Sequence, residues 1–584
     1  STASCGSGRR GCKKALCGVK PTQNGRKWNV NVWMSVRGRS RSDVVCMSAE
    51  DQEEEKLPSA SPVSVKELEE EMQARPKRGL EVQEKTVPSP LEFEPPRESL
   101  PQLLCSRTVD TVEDIKLHLL RKYFPNKALQ QSKIRPLLIV LGCGWGGHAL
   151  VKTIDTAKYQ VVVVSPRNYF LFTPMLASSA AGTVEFRSIC EPIRASNPYI
   201  DYIEATCIGI DHKNRTIQCV NPSGSKFSMD YSYLVLAVGA TTNTFGTPGV
   251  DKYCHFLKDI EDARRLRRSI IDQFELANIP GLSEKERSRI LTFAIVGGGP
   301  TGTEFAAELS DFLKEDLKRH YKKLITKVTV KLLNSGGSLL GQFDAALREN
   351  AIENLQKNKI DVVLNARVVE VTDNHVVLKS GKKIEYGLVV WAAGNGTRAL
   401  VRHLMDTIPE QNQAKNQVAV DWWLRVKGTT SVFALGDCAT SDREPLPATG
   451  QVAAQQGSYV ARLLNRNVCT SCEIPVMLPK EISNDLTPVE FESLRNTMVE
   501  EKKRITFAKR FQFLSLGVMA YVGGNKAIAD VDAGDIQVGG ISGRLAFFLW
   551  RSVYLTKQVS TRNRILVLGD WIKTRVFGRD ISQF

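Results

Sequence analysis

Two glycine-rich turns carry the clearest chemical signal in the sequence. The apolar run Phe293 to Val296 leads directly into a turn that contains Gly297, Gly299 and Gly302 and precedes a helix-forming segment. A strand, a glycine turn and a helix in this order bind a pyrophosphate. Glycine allows the tight turn, the close approach of the phosphate to the backbone, and the close packing of helix on strand.

The same pattern occurs earlier in the chain. The run Pro136 to Leu141 leads into Gly142, Gly144 and Gly147. One such turn alone is compatible with a chance glycine loop, but two predict two dinucleotide sites. The first departs from a simple NAD site, because its next strand, Tyr159 to Val164, ends at Ser165 where an acid would bind a ribose hydroxyl.

Two further buried strands end in glycine. Tyr231 to Val238 is followed by Gly239, and Thr429 to Leu435 is followed by Gly436 and Asp437. Such positions lie at the edge of a parallel sheet where ligands bind, so Asp437 could accept a hydrogen bond from a polyol hydroxyl. The alternative is that Asp437 caps the next helix.

Size, composition and charge limit the possible classes of protein. A chain of 584 residues with 42% hydrophobic residues is long enough for two or three domains. Since no run of about 18 uncharged apolar residues occurs, no membrane-spanning helix is predicted. The net charge of +16 is concentrated near the two ends, which does not favour nucleic-acid binding.

The first 134 residues are predicted to lie outside the catalytic fold. Residues 1–46 contain ten Lys or Arg and one acid, as in an organellar transit peptide, and the Val44-Val45-Cys46 ending favours a plastid. A disordered basic arm is the alternative. Residues 47–134 are predicted to form an acidic, mostly disordered linker.

The thirteen cysteines show no disulfide framework. Only Cys469 and Cys472 have CxxC spacing, and we interpret that pair as a coincidence within a polar insertion. The seven histidines are dispersed, so no metal site is predicted.

Together these motifs resemble the type II NAD(P)H dehydrogenases of plant and algal organelles. These are single-chain, non-proton-pumping NAD(P)H:quinone oxidoreductases of the two-dinucleotide-binding-domain flavoprotein superfamily. The resemblance covers roughly residues 135–584, and its carriers are GCGWGG at Gly142, SPRNYFLFTP at Ser165, GTVEFRSICEPIR at Gly182, GGGPTGTEFAAEL at Gly297, VVWAAG at Val389, ALGDCA at Ala434 and GQVAAQQGSYVARLL at Gly450.

The resemblance implies an α/β fold with two Rossmann-like domains, the second inserted in the first. The expected divisions are a first part of the FAD domain (135–263), an NAD(P)H domain (264–395), a second part of the FAD domain (396–500) and a C-terminal membrane-binding or dimerisation segment (501–584).

The resemblance also assigns the cofactors to individual residues. FAD is expected at Gly142, Gly144, Gly147, Arg167, Phe172, Thr173, Pro174, Gly239 and Asp437. The nicotinamide cofactor, NADH or NADPH, is expected at Gly297, Gly299, Gly302, Asn334 and Gly394.

Three further residues are expected to be catalytic. Glu304 looks like the family's acid beside the nicotinamide and the flavin. Gln451 and Gln455 look like the pair that lines the quinone pocket, and their spacing places them on one helix face. The family usually has Ala where this chain has Gly450.

The end of the strand Val328 to Leu333 bears on nucleotide preference. NADH-using members carry Glu there, which binds the ribose and repels a 2′-phosphate, whereas this chain has Asn334. We therefore expect NADPH to be accepted. No Arg occurs from Ser335 to Leu340 to bind the phosphate.

The absence of a dithiol motif bears on the electron path. The dithiol enzymes of the superfamily have CxxC or CxxxxC near the flavin, but here no such motif follows Gly147 within the first domain, and Cys190 has no second cysteine at either spacing. The flavin should therefore take a hydride directly from the nicotinamide and pass electrons on without a cysteine relay. The expected acceptor is a membrane quinone of the plastoquinone or ubiquinone type.

The C-terminal segment is predicted to reach a membrane. Residues 544–559 and 563–577 are predicted to form two basic amphipathic helices with interfacial aromatic residues, so the protein should bind a bilayer surface through residues 543–584. A helical hairpin on a dimer partner is the alternative, and a homodimer is expected.

Two other functions stay open at this point. One is a soluble flavoprotein reductase of a protein acceptor, and the other is a flavin-bearing accessory or scaffold subunit. The thylakoid membrane of the plastid is the expected location, with the mitochondrial inner membrane as the alternative.

Overall fold

The computed structural model describes residues 97–124, 135–441, 443–466, 509–533 and 536–582. Its strands, in chain order, are β1 (Leu137–Leu141), β2 (Gln160–Ser165), β3 (Tyr169–Leu171), β4 (Cys190–Pro192), β5 (Asp201–Glu204), β6 (Thr206–Asp211), β7 (Thr216–Val220), β8 (Lys226–Asp230), β9 (Tyr233–Leu236), β10 (Thr241–Thr242), β11 (His255–Phe256), β12 (Thr292–Val296), β13 (Thr329–Leu333), β14 (Ile360–Val363), β15 (Val368–Val371), β16 (His375–Leu378), β17 (Lys383–Glu385), β18 (Leu388–Trp391), β19 (Asn395–Gly396), β20 (Val418–Val420), β21 (Val432–Ala434), β22 (Ala439–Ser441), β23 (Val518–Gly523), β24 (Lys526–Ala533) and β25 (Ile536–Gly543).

The α-helices vary from three to 24 residues. In chain order they are α1 (Leu100–Tyr123), α2 (Trp145–Thr153), α3 (Leu176–Ala180), α4 (Ile193–Ser196), α5 (Val250–Tyr253), α6 (Ile260–Ala277), α7 (Glu284–Ile290), α8 (Pro300–Phe312), α9 (Lys318–His320), α10 (Ala345–Lys357), α11 (Ala399–Thr407), α12 (Gly450–Asn465), α13 (Arg544–Thr556) and α14 (Thr561–Phe577). A π-helical turn, Leu313–Leu317, follows α8 directly.

Two parallel five-stranded sheets form the centres of the two nucleotide-binding units. The first has the order β21-β9-β1-β2-β5 and the second the order β11-β18-β12-β13-β14. The central strands β1 and β12 are short aliphatic runs buried almost throughout, as expected for parallel strands covered on both faces. Since β21 follows the second sheet in the chain but pairs with β9 of the first, the predicted insertion is confirmed.

The division between the units differs from the predicted boundary at residues 263/264. That boundary falls inside α6, and β11 already pairs with β18 of the second sheet. The strand pairing therefore places the start of the second unit at or before His255. A strand of two residues carries too little hydrophobic pattern to be recognised in the sequence.

The prediction of a disordered linker up to residue 134 is wrong for α1. This helix begins after the capping residue Ser99, and its ion pairs attach it to α12. Arg462 contacts Asp110 at 3.1 Å, and it reaches Asp114 at 2.5 Å. The acidic composition of the surrounding segment concealed the helix, because two of its acids are the residues that bind the folded protein.

The C-terminal part combines a sheet with two helices. The antiparallel sheet β23-β24-β25 was not predicted, whereas α13 and α14 confirm the two predicted helices. Within the described ranges, no helix combines the length and the apolar character needed to cross a membrane.

Candidate active site

The first glycine turn has the geometry that the sequence pattern requires. Gly142 has a φ of +99°, and a Cβ added to it would lie 2.5 Å from the carbonyl oxygen of Ala237. A Cβ on Gly147 would lie 2.1 Å from the carbonyl oxygen of Gly142, so α2 can pack on β1 only without a side chain there. A Cβ on Gly144 would meet nothing within 4 Å.

The second turn repeats this geometry. Gly297 has a φ of +121°, and a Cβ on Gly302 would lie 2.0 Å from the carbonyl oxygen of Gly297. A Cβ on Gly299 would again meet nothing within 4 Å. In both turns the first and third glycines are required by the protein itself, and the space beside the second is open at the start of a helix. That space fits a pyrophosphate.

A cavity of about 640 Å³ joins the two units. Predicted site residues from both units line it, namely Gly142, Gly144, Arg167, Thr173, Gly239, Asp437 and Glu304. Gly239 is in the left-handed region with open space beside it. Asp437 lines the cavity, and no hydrogen bond to its carboxylate caps a helix among the described residues, which favours the ligand-binding interpretation.

Arg167 is held in place by a residue that the sequence analysis missed. Its guanidinium forms an ion pair with Asp259 at 2.8 Å, and Asp259 also caps α6. The hydroxyl of Tyr169 donates to the same carboxylate at 3.4 Å. In the sequence, the one indication of a structural role for Asp259 is its position as a helix N-cap.

The residue that replaces the ribose acid in the first turn is used within that turn. The Oγ of Ser165 accepts from the backbone N–H of Arg167 at 3.3 Å and lies 3.3 Å from the Sγ of Cys143. Burial raises the pKa of Cys143, which keeps this thiol protonated. Burial also raises the pKa of Cys190, to about 11. Both thiols are therefore poor nucleophiles at neutral pH.

The predicted Phe172-Thr173-Pro174 segment reaches the cavity through Thr173. Its hydroxyl accepts from the indole N–H of Trp145 at 2.9 Å. The ring of Phe172 is buried and packs against Trp145 and Tyr554, and Pro174 lies in a short 3₁₀ turn. The contribution of Phe172 and Pro174 to flavin binding stays a prediction.

Glu304 is a buried carboxyl group at the junction of three parts of the chain. It lies on α8 of the second unit, lines the cavity, and accepts a hydrogen bond from the backbone N–H of Tyr521 on β23 at 3.2 Å. Burial raises the pKa of Glu304 to about 8. The side chain is therefore mostly protonated at neutral pH and can act as a proton donor.

The two predicted quinone-pocket glutamines hold the segment that leads into β23. Gln455 is fully engaged, because its amide donates to the carbonyl of Leu514 at 2.9 Å and accepts from the N–H of Leu514 at 3.1 Å. Gln451 donates to the carbonyl of Gly517 at 3.1 Å, and its buried Oε1 has no partner among the described residues. Gln451 therefore keeps an acceptor for a ligand, whereas Gln455 is placed to position the segment.

A third glutamine on the same helix was missed by the sequence analysis. Gln456 is buried, and its Oε1 accepts from the N–H of Gly436 at 2.7 Å, next to Asp437. A closely packed neighbour also explains Gly450, since a Cβ there would lie 2.7 Å from the ring of Trp145.

Asn334 lies at the end of β13 and organises the loop that follows. Its Oδ1 accepts from the N–H of Gly298 at 3.1 Å, and its Nδ2 donates to the carbonyls of Ser338 at 2.8 Å and Gly336 at 3.2 Å. Arg348, on α10, donates to the hydroxyl of Ser338 at 3.0 Å. Arg348 lies outside the segment Ser335 to Leu340, so the expectation that no cation stands near Asn334 did not take it into account.

Gly394, the last predicted nicotinamide contact, has a φ of +76°. A Cβ there would lie 2.5 Å from the ring of Phe245, so glycine is needed for this packing. Its contact with the nicotinamide stays a prediction.

Two family descriptions match the chain. The pyridine nucleotide-disulphide oxidoreductase family matches residues 137–457, and the NDH2 C-terminal domain matches residues 516–580. The second match covers β23 to α14, the part that contributes the Tyr521 contact to Glu304.

The chain is also similar to individual proteins. It is 38% identical to the mitochondrial external alternative NAD(P)H-ubiquinone oxidoreductase B1 of Solanum tuberosum, over 78% of this chain and 91% of that protein. It is 37% identical to the mitochondrial external alternative NADH-ubiquinone oxidoreductase of Yarrowia lipolytica, over 79% and 82% of the two chains. The structure of NDH2 from Plasmodium falciparum in complex with NADH matches with a TM-score of 0.67 and 27% identity, over 77% of this chain and 100% of that one.

The two glycines Gly299 and Gly302 should respond differently to alanine. Gly302→Ala places a Cβ against the Gly297 carbonyl, so we expect a melting temperature several degrees lower and weakened nucleotide binding. Gly299→Ala meets no protein atom and should fold normally, but it should raise the KM for NAD(P)H by obstructing the pyrophosphate. Thermal unfolding and steady-state kinetics of both variants check this; equal melting temperatures would contradict the packing argument.

Proposed function

The chain belongs to the type II NAD(P)H:quinone oxidoreductase (NDH2) family, and we propose that it transfers a hydride from NAD(P)H to FAD and then two electrons to a ubiquinone-type quinone at a membrane surface. The observation that carries the proposal is the shared cavity. Thr301 and Glu304 of the second unit and Gly144, Gly239 and Asp437 of the first all line it. Both nucleotides can therefore bring their reactive rings to one place.

FAD, when bound, supplies the two-electron carrier between the nicotinamide and the quinone. The protein contributes position and protons. Arg167, held by Asp259, and the open side of Gly144 are placed to bind the cofactor's phosphates, and Asp437 is placed to bind its polyol hydroxyls. Glu304 can supply a proton to the acceptor. Gln451, which follows the cavity-lining Gly450 in the chain, has a buried Oε1 without a partner among the described residues.

Membrane association fits the outer faces of the two C-terminal helices. Each packs one side on the enzyme through a tryptophan, Trp550 on α13 and Trp571 on α14. Their other sides expose large apolar residues between Arg and Lys, namely Leu545, Phe548, Ile565, Leu568, Ile572, Val576 and Phe577. Helices of this kind lie in the plane of a bilayer surface. Self-association through these helices stays a prediction.

The mitochondrial inner membrane is the proposed location. The relatives compared above carry mitochondrial names, which supports the alternative and does not support the expected plastid thylakoid. The leader on which the plastid expectation was based, residues 1–46, lies outside the described residues, as does the CxxC insertion.

A quinone-dependence assay tests the proposed function. The purified, FAD-loaded chain should oxidise NADH or NADPH many times faster when a short-chain ubiquinone analogue is added, because the flavin otherwise has no acceptor. Anaerobic absorbance at 340 nm measures this rate. Turnover with a small redox protein but not with the quinone would favour the soluble-reductase alternative, and flavin binding without any turnover would favour an accessory subunit.

Replacing Asn334 should change nucleotide preference. In Asn334→Glu, a carboxylate about 4–5 Å from a 2′-phosphate would repel it by at most about 3–4 kcal/mol at an effective dielectric near 20. We therefore expect the kcat/KM ratio of NADPH to NADH to fall by about 10- to 100-fold. Asn334→Gln keeps the amide and serves as the control for the loop hydrogen bonds.

Arg348 provides a second test of the same preference. Its guanidinium lies beside Ser338, so Arg348→Gln should reduce kcat/KM for NADPH more than for NADH. A wild-type enzyme that prefers NADH by a hundredfold would contradict the predicted acceptance of NADPH.

The raised pKa of Glu304 predicts a pH-dependent stability. The folded state holds this proton up to about pH 8, whereas an ordinary glutamic acid loses it near 4.5, so this group makes unfolding easier as pH rises between those values. Glu304→Gln removes that dependence. Its unfolding free energy should therefore increase relative to the wild type from pH 5 to pH 8, as measured by urea titration.

The activity of the same variant supplies the second measurement. Glu304→Gln should lower the rate of quinone reduction, and the loss of wild-type activity expected above about pH 8 should be absent from its pH profile. The matched control is Glu370→Gln, which changes a carboxylate in β15, an edge strand of its sheet. Parallel profiles for wild type and Glu304→Gln would remove Glu304 from the proton-transfer step.

A further inference from the structure

Helix α1 exposes an apolar face opposite its contacts with the enzyme. At about 100° per residue, seven large side chains fall within a sector of about 160°. They are Leu104, Val109, Val112, Ile115, Leu119, Leu120 and Tyr123, and each is between 40% and 61% exposed. An apolar stripe of this length on a soluble protein marks an interaction surface.

The inward face of α1 is mainly polar apart from the buried Leu103, and hydrogen bonds and ion pairs attach it to the enzyme. Asp110 and Asp114 bind Arg462 on α12, and Arg107 donates to the carbonyl of Gln512 at 2.8 Å. Near the other end, Arg121 is buried and donates to the carbonyl of Lys152 at 2.8 Å. The usual amphipathic arrangement is therefore reversed, because charged groups hold the helix while its apolar side points outward.

The charges on the exposed face indicate the kind of surface that α1 fits. The charged residues within the apolar sector are Lys116 and Lys122, and no carboxylate lies there. Glu113, at the edge of the sector, pairs with Arg466 at 2.6 Å. Lysine stems can extend along an apolar phase while their ammonium groups reach anionic headgroups. A second copy of the same face would instead bring lysine against lysine.

Both ends of α1 are connected to the C-terminal membrane-binding part. At its start, Glu98 and Gln512 exchange two hydrogen bonds of 3.1 and 3.0 Å, at the segment that leads into β23. At its end, Arg121 binds Lys152, whose Nζ donates at 3.3 Å to the carbonyl of Val559, between α13 and α14. Helix α1 is thus connected to the loop between α13 and α14 through Lys152, and to the segment before β23 through Gln512.

We propose that the exposed face of α1 is a second membrane-binding element, which lies on an anionic bilayer surface together with α13 and α14. The inference rests on the proposed function only in that the enzyme works at a membrane. Contact at α1, beside the helix that carries Gln451 and Gln455, holds the cavity region against the bilayer at a second place.

Vesicle co-flotation of the full-length, FAD-loaded chain tests the proposal. In the variant Val112→Gln/Ile115→Gln/Leu119→Gln, binding to phosphatidylcholine vesicles that contain phosphatidylglycerol should weaken by about tenfold or more. The matched control is Leu276→Gln/Ile279→Gln/Val369→Gln, which changes three exposed apolar residues elsewhere and should bind like the wild type.

The charge pair provides an independent variant. Lys116→Glu/Lys122→Glu should weaken binding to the anionic vesicles severalfold and leave binding to pure phosphatidylcholine vesicles unchanged. Flavin content and turnover with a short-chain quinone in detergent-free buffer should match the wild type in both variants, which distinguishes lost membrane contact from misfolding.

Unchanged vesicle binding in both α1 variants would overturn the inference. If the molar mass measured by light scattering were also halved in these variants, the face would instead be a contact between two copies of the chain. A wild type that binds vesicles through α1 but reduces no quinone would refute the proposed function and leave the inference intact.

Discussion

The hydrogen bond from the N–H of Tyr521 to the carboxyl group of Glu304 joins the cavity shared by the two units to the C-terminal part of the protein. Burying a carboxyl group is costly unless it is hydrogen-bonded or neutral, and Glu304 meets both conditions. About two turns further along α8, Asp311 accepts hydrogen bonds from the hydroxyl of Tyr521 at 2.5 Å and from the N–H of Gly524. The strand β23 is therefore fixed along α8 by two acids. Beyond α14, Arg579 adds an ion pair to Asp316 at 2.8 Å. Hydrogen bonds and an ion pair therefore join β23 and the residues that follow α14 to α8 and its π-helical turn.

Sequence reasoning recovered those parts of the structure in which one local pattern determines one geometry. The glycine turns are the clearest case, because Gly147 and Gly302 can each be replaced by no other residue without a clash against the first glycine of the turn. The C-terminal helices were also found, since their apolar and basic residues alternate with a helical period. The sheet β23 to β25 was missed, because much of its contact with the rest of the fold is to residues far away in the chain, such as Glu304, Asp311 and Asn354. Helix α1 was missed for a different reason: its buried side is the charged one, so the expected apolar inner stripe is absent.

The same distinction applies to the site residues: a local sequence pattern predicts some of their features, and only the fold reveals the others. Spacing alone placed Gln451 and Gln455 on one helix face, and they do share a target, the segment from Leu514 to Gly517. Spacing could not show that Gln455 uses both ends of its amide on the backbone while Gln451 keeps a buried oxygen free. Arg348 and Asp259 stayed hidden because each reaches its partner from a different element, and a search confined to neighbouring positions in the chain cannot detect such contacts.

The two nucleotide-binding turns have the same packing geometry, so they cannot distinguish their ligands through the glycines. Discrimination must lie where the next strand ends. In the first unit the Oγ of Ser165 interacts within the turn with Cys143 and the backbone of Arg167, and the proposed contacts of the cofactor are Arg167 and Asp437, which line the cavity. In the second unit Asn334 binds its own loop and brings Ser338 within reach of Arg348. Neither position carries a carboxylate that would bind a ribose hydroxyl, and under the proposed function Asn334 would therefore not repel a 2′-phosphate. One duplicated backbone design thus serves a resident cofactor on one side and an exchanging substrate on the other.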